Sequence, residues 1–447
     1  MKLRKSYLAI PLSITLLASA GGAVSAHNLE PAQPSVETPA SDLRSALGHL
    51  LSEHAYLAAE AMRKGAEGAK DFDAAANALN DNTTDLTAAI ESVYGKEAAE
   101  QFNQMWTNHI GFFVDYVKAS GSNNQAAKEE ALNKLDNYRS DFSKFLEIAT
   151  GERLESSSLA DGLQMHVNQL VGAFDSYVQG DYEKAYQYER ESIHHMYLVA
   201  KGLSSAISDQ FPEKFHETMA VTPAADLRAH LDHLLTEHAG LAVTAMQNGI
   251  DGSEDFEASA NALAANTKDL AAAISSVYGD EAGQQFEGMW SEHIGFFVEY
   301  VKASGANDEA KKEEALKNLD GYRAEFSKFL ETATDGRLKS DALADGLQMH
   351  VNQLVGSFDS FAAGDYEKAY DQAREAYAHM LNPAKGLSGS IVDQFPEKFA
   401  NKMPAEMPTT GMGGTAEKDM SAEMLLAGLF AAAGVTSIAI RRRMNQN

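Results

Sequence analysis

The stretch Trp106-Thr-Asn-His-Ile-Gly-Phe-Phe-Val114 decides the fold, because it recurs 184 residues later as Trp290-Ser-Glu-His-Ile-Gly-Phe-Phe-Val298. The alignment extends outward from it without gaps, so that residues 42–216 match residues 226–400. About two-thirds of these aligned positions are identical. Similarity at one fixed spacing is typical of a duplicated structural unit. The sequence therefore predicts two tandem copies of one domain.

The domain boundaries follow from the limits of this repeat. The predicted segments are helical repeat 1 over 41–216, a linker over 217–224 that contains Pro223, and helical repeat 2 over 225–402. Residues 27–40 contain three prolines and are predicted to form a flexible N-terminal segment.

Each repeat is predicted to be an all-α, approximately six-helix antiparallel bundle. Alanine, leucine, glutamate and lysine dominate, and apolar residues recur at spacings of three and four. No segment shows the sustained alternation of a strand, and short connections favour antiparallel neighbours. The helices predicted in repeat 1 are 41–63, 71–93, 96–119, 125–149, 157–178 and 182–209.

The first 26 residues are typical of a secretory signal peptide. Lys2, Arg4 and Lys5 precede an apolar stretch, and Val24-Ser25-Ala26 supplies the small residues that signal peptidase recognises. We therefore expect export, with cleavage before His27. Signal peptidase is accordingly an expected partner.

The C-terminal region has three parts: residues 403–421, an apolar segment over 422–440 and a basic tail over 441–447. The apolar segment would span roughly 30 Å as a helix, the thickness of one hydrocarbon core. The first part contains the motif Met407, Pro408, Thr409, Thr410, Gly411.

This arrangement resembles the LPXTG sorting signal of sortase substrates, with methionine in place of the usual leucine. The resemblance implies cleavage after Thr410 and attachment to peptidoglycan. The expected location is thus extracellular, covalently attached to a Gram-positive cell wall, with sortase and peptidoglycan as partners. Contact with the membrane would occur only through the C-terminal segment before cleavage.

Composition narrows the classes of function. The formal net charge is −27, which argues against nucleic acid as a partner because no basic surface could offset phosphate charge. There is no cysteine, so disulfides and thiolate metal ligands are excluded. No nucleophile–base pair or poised carboxylate pair can be identified, so no catalytic residue is predicted.

The histidines are the strongest candidates for a functional site. In repeat 1 they share apolar helix faces with leucine and aromatic residues, and their counterparts in repeat 2 do the same. Imidazoles that face one another in a bundle core can hold copper, zinc, nickel or haem iron. The candidate metal ligands are His54, His109, His166, His195, His238, His293, His350 and His379.

Two functions remain open for these histidines. The first is binding of a metal ion or haem in each repeat, with copper favoured because Met105, Met165 and Met196 lie near the histidines in sequence. The alternative is a non-catalytic structural or interaction module in which the histidines only pack. His49 lies off the apolar face and is expected to form an exposed pair with Glu53.

The stretches Glu237-His-Ala-Gly-Leu-Ala242, His109-Ile-Gly-Phe-Phe-Val114 and Gln164-Met-His-Val-Asn-Gln-Leu170 are similar to those of helical surface proteins of bacilli labelled copper amine oxidase. The resemblance covers residues 41–400 and implies copper. It does not extend to the quinone-forming motif of those oxidases, Asn-Tyr followed by an acid, because Tyr138 is followed by Arg139.

Overall fold

The computed structural model describes residues 33–401, which form one compact unit built from α-helices without a strand in that range. This confirms the predicted all-α fold. Repeat 1 contains α1 (Pro39–Glu67), α2 (Phe72–Tyr94), α3 (Lys96–Gly121), α4 (Gln125–Ala149), α5 (Ser156–Val178), α6 (Tyr182–Gln210) and a 3₁₀ helix (Pro212–Phe215). Repeat 2 contains α7 (Pro223–Asp251), α8 (Phe256–Tyr278), α9 (Asp280–Gly305), α10 (Glu309–Ala333), α11 (Ser340–Ala362), α12 (Tyr366–His379), α13 (Leu381–Gln394) and α14 (Pro396–Phe399).

The sixth long helix differs between the repeats. Helix α6 is continuous, whereas α12 ends at His379 and α13 begins at Leu381. Proline has no N–H to donate to the carbonyl four residues earlier, and Pro383 occupies the position of Val199 in repeat 1. The break in repeat 2 therefore follows from one substitution between the copies.

The predicted signal peptide and the sorting motif with its apolar segment and basic tail lie outside the described residues. Over 33–401, no helix is both long enough and apolar enough to cross a membrane. The predicted N-terminal segment is described from residue 33, and Val36 is buried against Ala224 and Val392 of repeat 2.

Helices α1 and α7 lie side by side at the centre. Near their N-termini, Arg44 forms an ion pair with Asp226, and near their C-termini, Arg63 donates to the Asn248 side chain at 2.8 Å. Because like ends meet, the two helices run parallel. Helix α1 also packs against α2, α5 and α6 of its own repeat. The central helices are consequently buried on most sides.

The contacts between the repeats are reciprocal. Arg44 pairs with Asp226, and the equivalent residues Arg228 and Asp42 pair in the opposite direction. Such an exchange of equivalent partners is the pattern of a two-fold interface. The repeats are thus related by an approximate two-fold axis along the central helices.

The expectation that His49 is exposed was wrong. Its side chain is buried, and its ring lies 5.8 Å from that of Tyr377 in repeat 2. Repeat 2 packs on the polar face of α1. This face is therefore buried although its residues do not follow an apolar pattern. The equivalent His233 is buried for the same reason, beside Tyr197 of repeat 1.

Candidate metal centres

Three of the four predicted histidines in each repeat converge. His54 on α1, His109 on α3 and His166 on α5 each offer a ring nitrogen, and these three nitrogens lie within 4.8 Å of one another. His238, His293 and His350 form the equivalent group in repeat 2. All six side chains are buried. We call the two groups triad 1 and triad 2.

Aromatic packing fixes the orientation of the imidazoles. Trp106 lies 4.7 Å from both His54 and His109, measured between ring centroids. Tyr138 on α4 stacks on His109 at 4.7 Å with an interplanar angle of 13°. Helical spacing brings Trp106 and His109 to one face of α3. Each triad is therefore supported by an indole and a phenol ring.

Triad 2 repeats this geometry closely. His238 and His293 have ring centroids 5.4 Å apart, the same separation as His54 and His109. Tyr322 stacks on His293 at 4.8 Å. Trp290 donates its Nε1–H to His238 Nδ1 at 3.4 Å, and His238 Nε2 has no hydrogen-bond partner among the described residues.

Several buried ring nitrogens of the triads lack a hydrogen-bond partner among the described residues. Both ring nitrogens lack a partner in His54, His166 and His350, and Nδ1 lacks one in His109. A buried polar atom without a partner costs about 1–3 kcal/mol. The donor atoms of each triad are thus available to a ligand that the protein chain itself does not supply.

Burial also keeps the triads uncharged. It lowers the pKa of His109, His166 and His293 to about 3, and the pKa of His54 well below its ordinary value of 6.5. Neighbouring histidines lower several of these pKa values further, and no carboxylate within residues 33–401 contributes to the shifts. Neutral imidazole is the form that coordinates metals.

The fourth predicted ligand of each repeat is not part of its triad. The Nε2 of His195 lies 2.9 Å from the carbonyl oxygen of Gly162, and that of His379 lies 3.0 Å from the carbonyl oxygen of Gly346. A carbonyl can only accept, so Nε2 carries the proton in both residues. These histidines connect the sixth long helix to the fifth in each repeat.

A cavity of about 390 Å³ lies inside repeat 1 beside triad 1. Its wall includes His109, His166 and His195, and most of the remaining wall is leucine, phenylalanine and other apolar side chains. Met196 lines it as a buried residue, whereas Met165 and Leu198 are about half exposed where the wall reaches the surface. The cavity therefore connects the region of triad 1 with the outside.

Sequence reasoning missed this cavity and the supporting role of Trp106 and Tyr138. Their spacing on apolar helix faces was the available signal for the two aromatic residues, but nothing in a linear pattern shows how completely a bundle is filled. A second histidine group, not predicted from the sequence, lies at the boundary between the repeats, where His194 and His230 lie beside His233. Alanine replaces two of these three residues on the other side of the two-fold axis.

Comparison with protein-family models, with curated proteins and with solved structures gives no match to this chain. The function therefore has to be inferred from the triads and their surroundings.

Proposed function

We propose that this protein binds one transition-metal ion in each repeat, with copper favoured, and that it does so at the bacterial cell wall. The observation that carries the proposal is the convergence of His54, His109 and His166, repeated by triad 2. Three buried neutral imidazoles on three different helices form a ligand set that a bundle core can offer to one ion.

The dimensions suit a single ion. A point equidistant from three atoms 4.8 Å apart lies about 2.8 Å from each, whereas a metal–imidazole bond is about 2.0–2.1 Å long. An inward movement of each ring nitrogen by roughly 0.7 Å at most would complete coordination. Small rotations of the imidazoles supply a displacement of that size.

The same geometry favours an ion over haem. The haem macrocycle occupies four positions around its iron and leaves only the axial positions to protein ligands. Three imidazole nitrogens that converge within 4.8 Å cannot all be axial. One of them would remain without a partner beside the macrocycle.

The lack of a carboxylate in the two triads, as far as the chain is described, favours monovalent copper. No carboxylate of the described chain belongs to either triad, so the positive charge of the ion would be enclosed without a neutralising partner. The cost of burying an ion rises steeply with its charge, and a monovalent ion is therefore favoured over a divalent one. The thioether of Met196, which lines the same cavity as His109 and His166, is the kind of soft group that prefers Cu⁺.

The location at the cell wall is supported by the sequence features of the two ends alone. A signal peptide and a sorting signal of the LPXTG type would place residues 27–410 outside the membrane, bound to peptidoglycan. Deletion of sortase should release the protein from the wall fraction into the membrane or medium. Unchanged recovery with peptidoglycan would contradict covalent anchoring.

Metal binding is tested by titration of the full chain with Cu⁺ under reducing conditions, with bound metal measured after gel filtration. We expect two ions per chain, one after His109→Phe, one after His293→Phe and none in the double variant. His216→Asn removes an exposed histidine outside the triads and should leave two ions bound. Two ions in the double variant, with its helical content intact, would overturn the proposal.

A further inference from the structure

The cavity of repeat 1 has a wall in common with triad 1. His109 and His166 belong both to the triad and to the cavity wall, whereas His54 belongs to the triad alone. An ion held by three imidazoles keeps at least one coordination position free of protein ligands. Because two of its three ligands are cavity wall residues, such an ion would border a space of about 390 Å³.

The cavity wall is almost the same in both repeats at the level of sequence. All but four of the residues that line the cavity are identical at the equivalent positions of repeat 2. The four that differ are Glu155, Ser158, Leu198 and Val199, which correspond to Lys339, Ala342, Asn382 and Pro383. Of the four residues in repeat 1, three are exposed. Most of the differences therefore lie at the cavity mouth, and the inner wall is almost the same in both repeats.

Most of the wall offers water few polar partners, because it is apolar. An apolar occupant would displace such poorly ordered water and add dispersion contacts with the wall. The wall contains the three histidines His109, His166 and His195, and the rest of it is mostly apolar. An occupant that satisfies both parts has an apolar body and one polar end.

We propose that repeat 1 binds a neutral apolar small molecule that carries a single nitrogen donor. The nitrogen becomes an additional ligand of the ion in triad 1, and the apolar body fills the cavity towards the mouth between α5 and α6. Glu155 at the mouth disfavours an anionic outer end. This inference rests on the proposed metal function and names the class of ligand that the bound ion receives.

The test uses the full chain with the His293→Phe substitution, so that only triad 1 is loaded. The chain is loaded with Cu⁺ under reducing conditions, and binding of each probe is measured by isothermal titration calorimetry. The probes are 4-phenylimidazole and imidazole, which share a donor but differ in apolar body. We expect 4-phenylimidazole to bind at least about tenfold more tightly.

Gly202 provides a way to block the cavity. It lines the cavity in helical conformation, and a Cβ added there would meet only Leu154 at 4.0 Å, so Gly202→Phe directs its ring into the space without backbone strain. This variant should still bind Cu⁺ and imidazole but lose the tenfold advantage of 4-phenylimidazole. Gly386→Phe places the same side chain in repeat 2 and should retain the advantage.

The outcomes separate the two proposals. Absence of bound Cu⁺ in the His293→Phe chain would overturn metal binding and this inference together. Bound Cu⁺ with equal affinity for the two probes would leave metal binding intact and overturn the cavity as a ligand site. An advantage that survives Gly202→Phe would also overturn the cavity as its source.

Discussion

Arg190 of repeat 1 donates two hydrogen bonds to the carboxylate of Glu237 in repeat 2, at 3.1 and 3.0 Å. Arg374 and Glu53 make the same pair in the opposite direction, at the same two distances. Both carboxylates are almost completely buried. The two repeats are therefore joined by charges that would be costly to leave without their partners.

Loss of one such arginine should strongly destabilise the whole unit. Arg190→Ala leaves the buried Glu237 carboxylate without its cation, and we expect the free energy of unfolding to fall by about 3 kcal/mol. Chemical denaturation measures the change. Lys96→Ala, which removes a solvent-exposed pair with Glu100, is the matched control and should change stability by less than about 0.5 kcal/mol. Equal effects of the two substitutions would contradict a structural role for the interface pair.

Replacement of a triad histidine should cost little in the metal-free protein. Both ring nitrogens of His54 lack partners, so His54→Leu removes unsatisfied polar atoms from the core. We expect the metal-free variant to be within about 1 kcal/mol of the parent or more stable. Added Cu⁺ should raise the melting temperature of the parent more than that of the variant. A large loss of stability without metal would instead indicate that the histidine is needed for packing.

Stability should fall in mild acid because of the triads. The folded-state pKa of His109 is about 3, whereas an unfolded histidine titrates near 6.5. Between these values the unfolded chain binds more protons, so this stabilising contribution is complete above about pH 6.5 and is lost as the pH drops towards 3. The slope is up to about 1.4 kcal/mol per pH unit for each such histidine.

Guanidinium denaturation at pH 7.5 and 5.5 measures this effect. The double variant His109→Phe/His293→Phe should lose less stability between the two pH values than the parent. Comparison with the variant cancels contributions from other groups, such as Asp232, whose pKa burial raises to about 7. Identical losses in both proteins would show that the triads do not cause the acid sensitivity.

Two glycine-to-alanine substitutions should change the stability of the protein in opposite directions. At Gly48 an added Cβ would lie 2.6 Å from the Tyr197 ring, which is buried at the boundary between repeats. Gly48→Ala should therefore destabilise the protein by about 1–3 kcal/mol. At Gly111, inside α3, nothing lies within 4 Å, so Gly111→Ala should stabilise by up to about 1 kcal/mol. Thermal melting of both variants measures this difference. Equal shifts of the two melting temperatures would contradict the prediction.

The helices and the histidines of the triads could be predicted because both depend on periodicity along one helix. His54, His109 and His166 each share a face with apolar residues, and that is enough to direct them inward. His49 could not be placed in the same way, because the surface that buries it comes from another repeat. Nor could His195 be separated from the triad, since its bond to Gly162 depends on the distance between α5 and α6.

The parallel pairing of α1 with α7 has a consequence for how the two-fold assembly behaves on dilution. Its two halves exchange equivalent contacts as the subunits of a homodimer do, yet they belong to one polypeptide. Association of separate subunits weakens on dilution, whereas covalently linked halves keep a high effective concentration whatever the surroundings. The duplication thus makes the two-fold assembly independent of protein concentration.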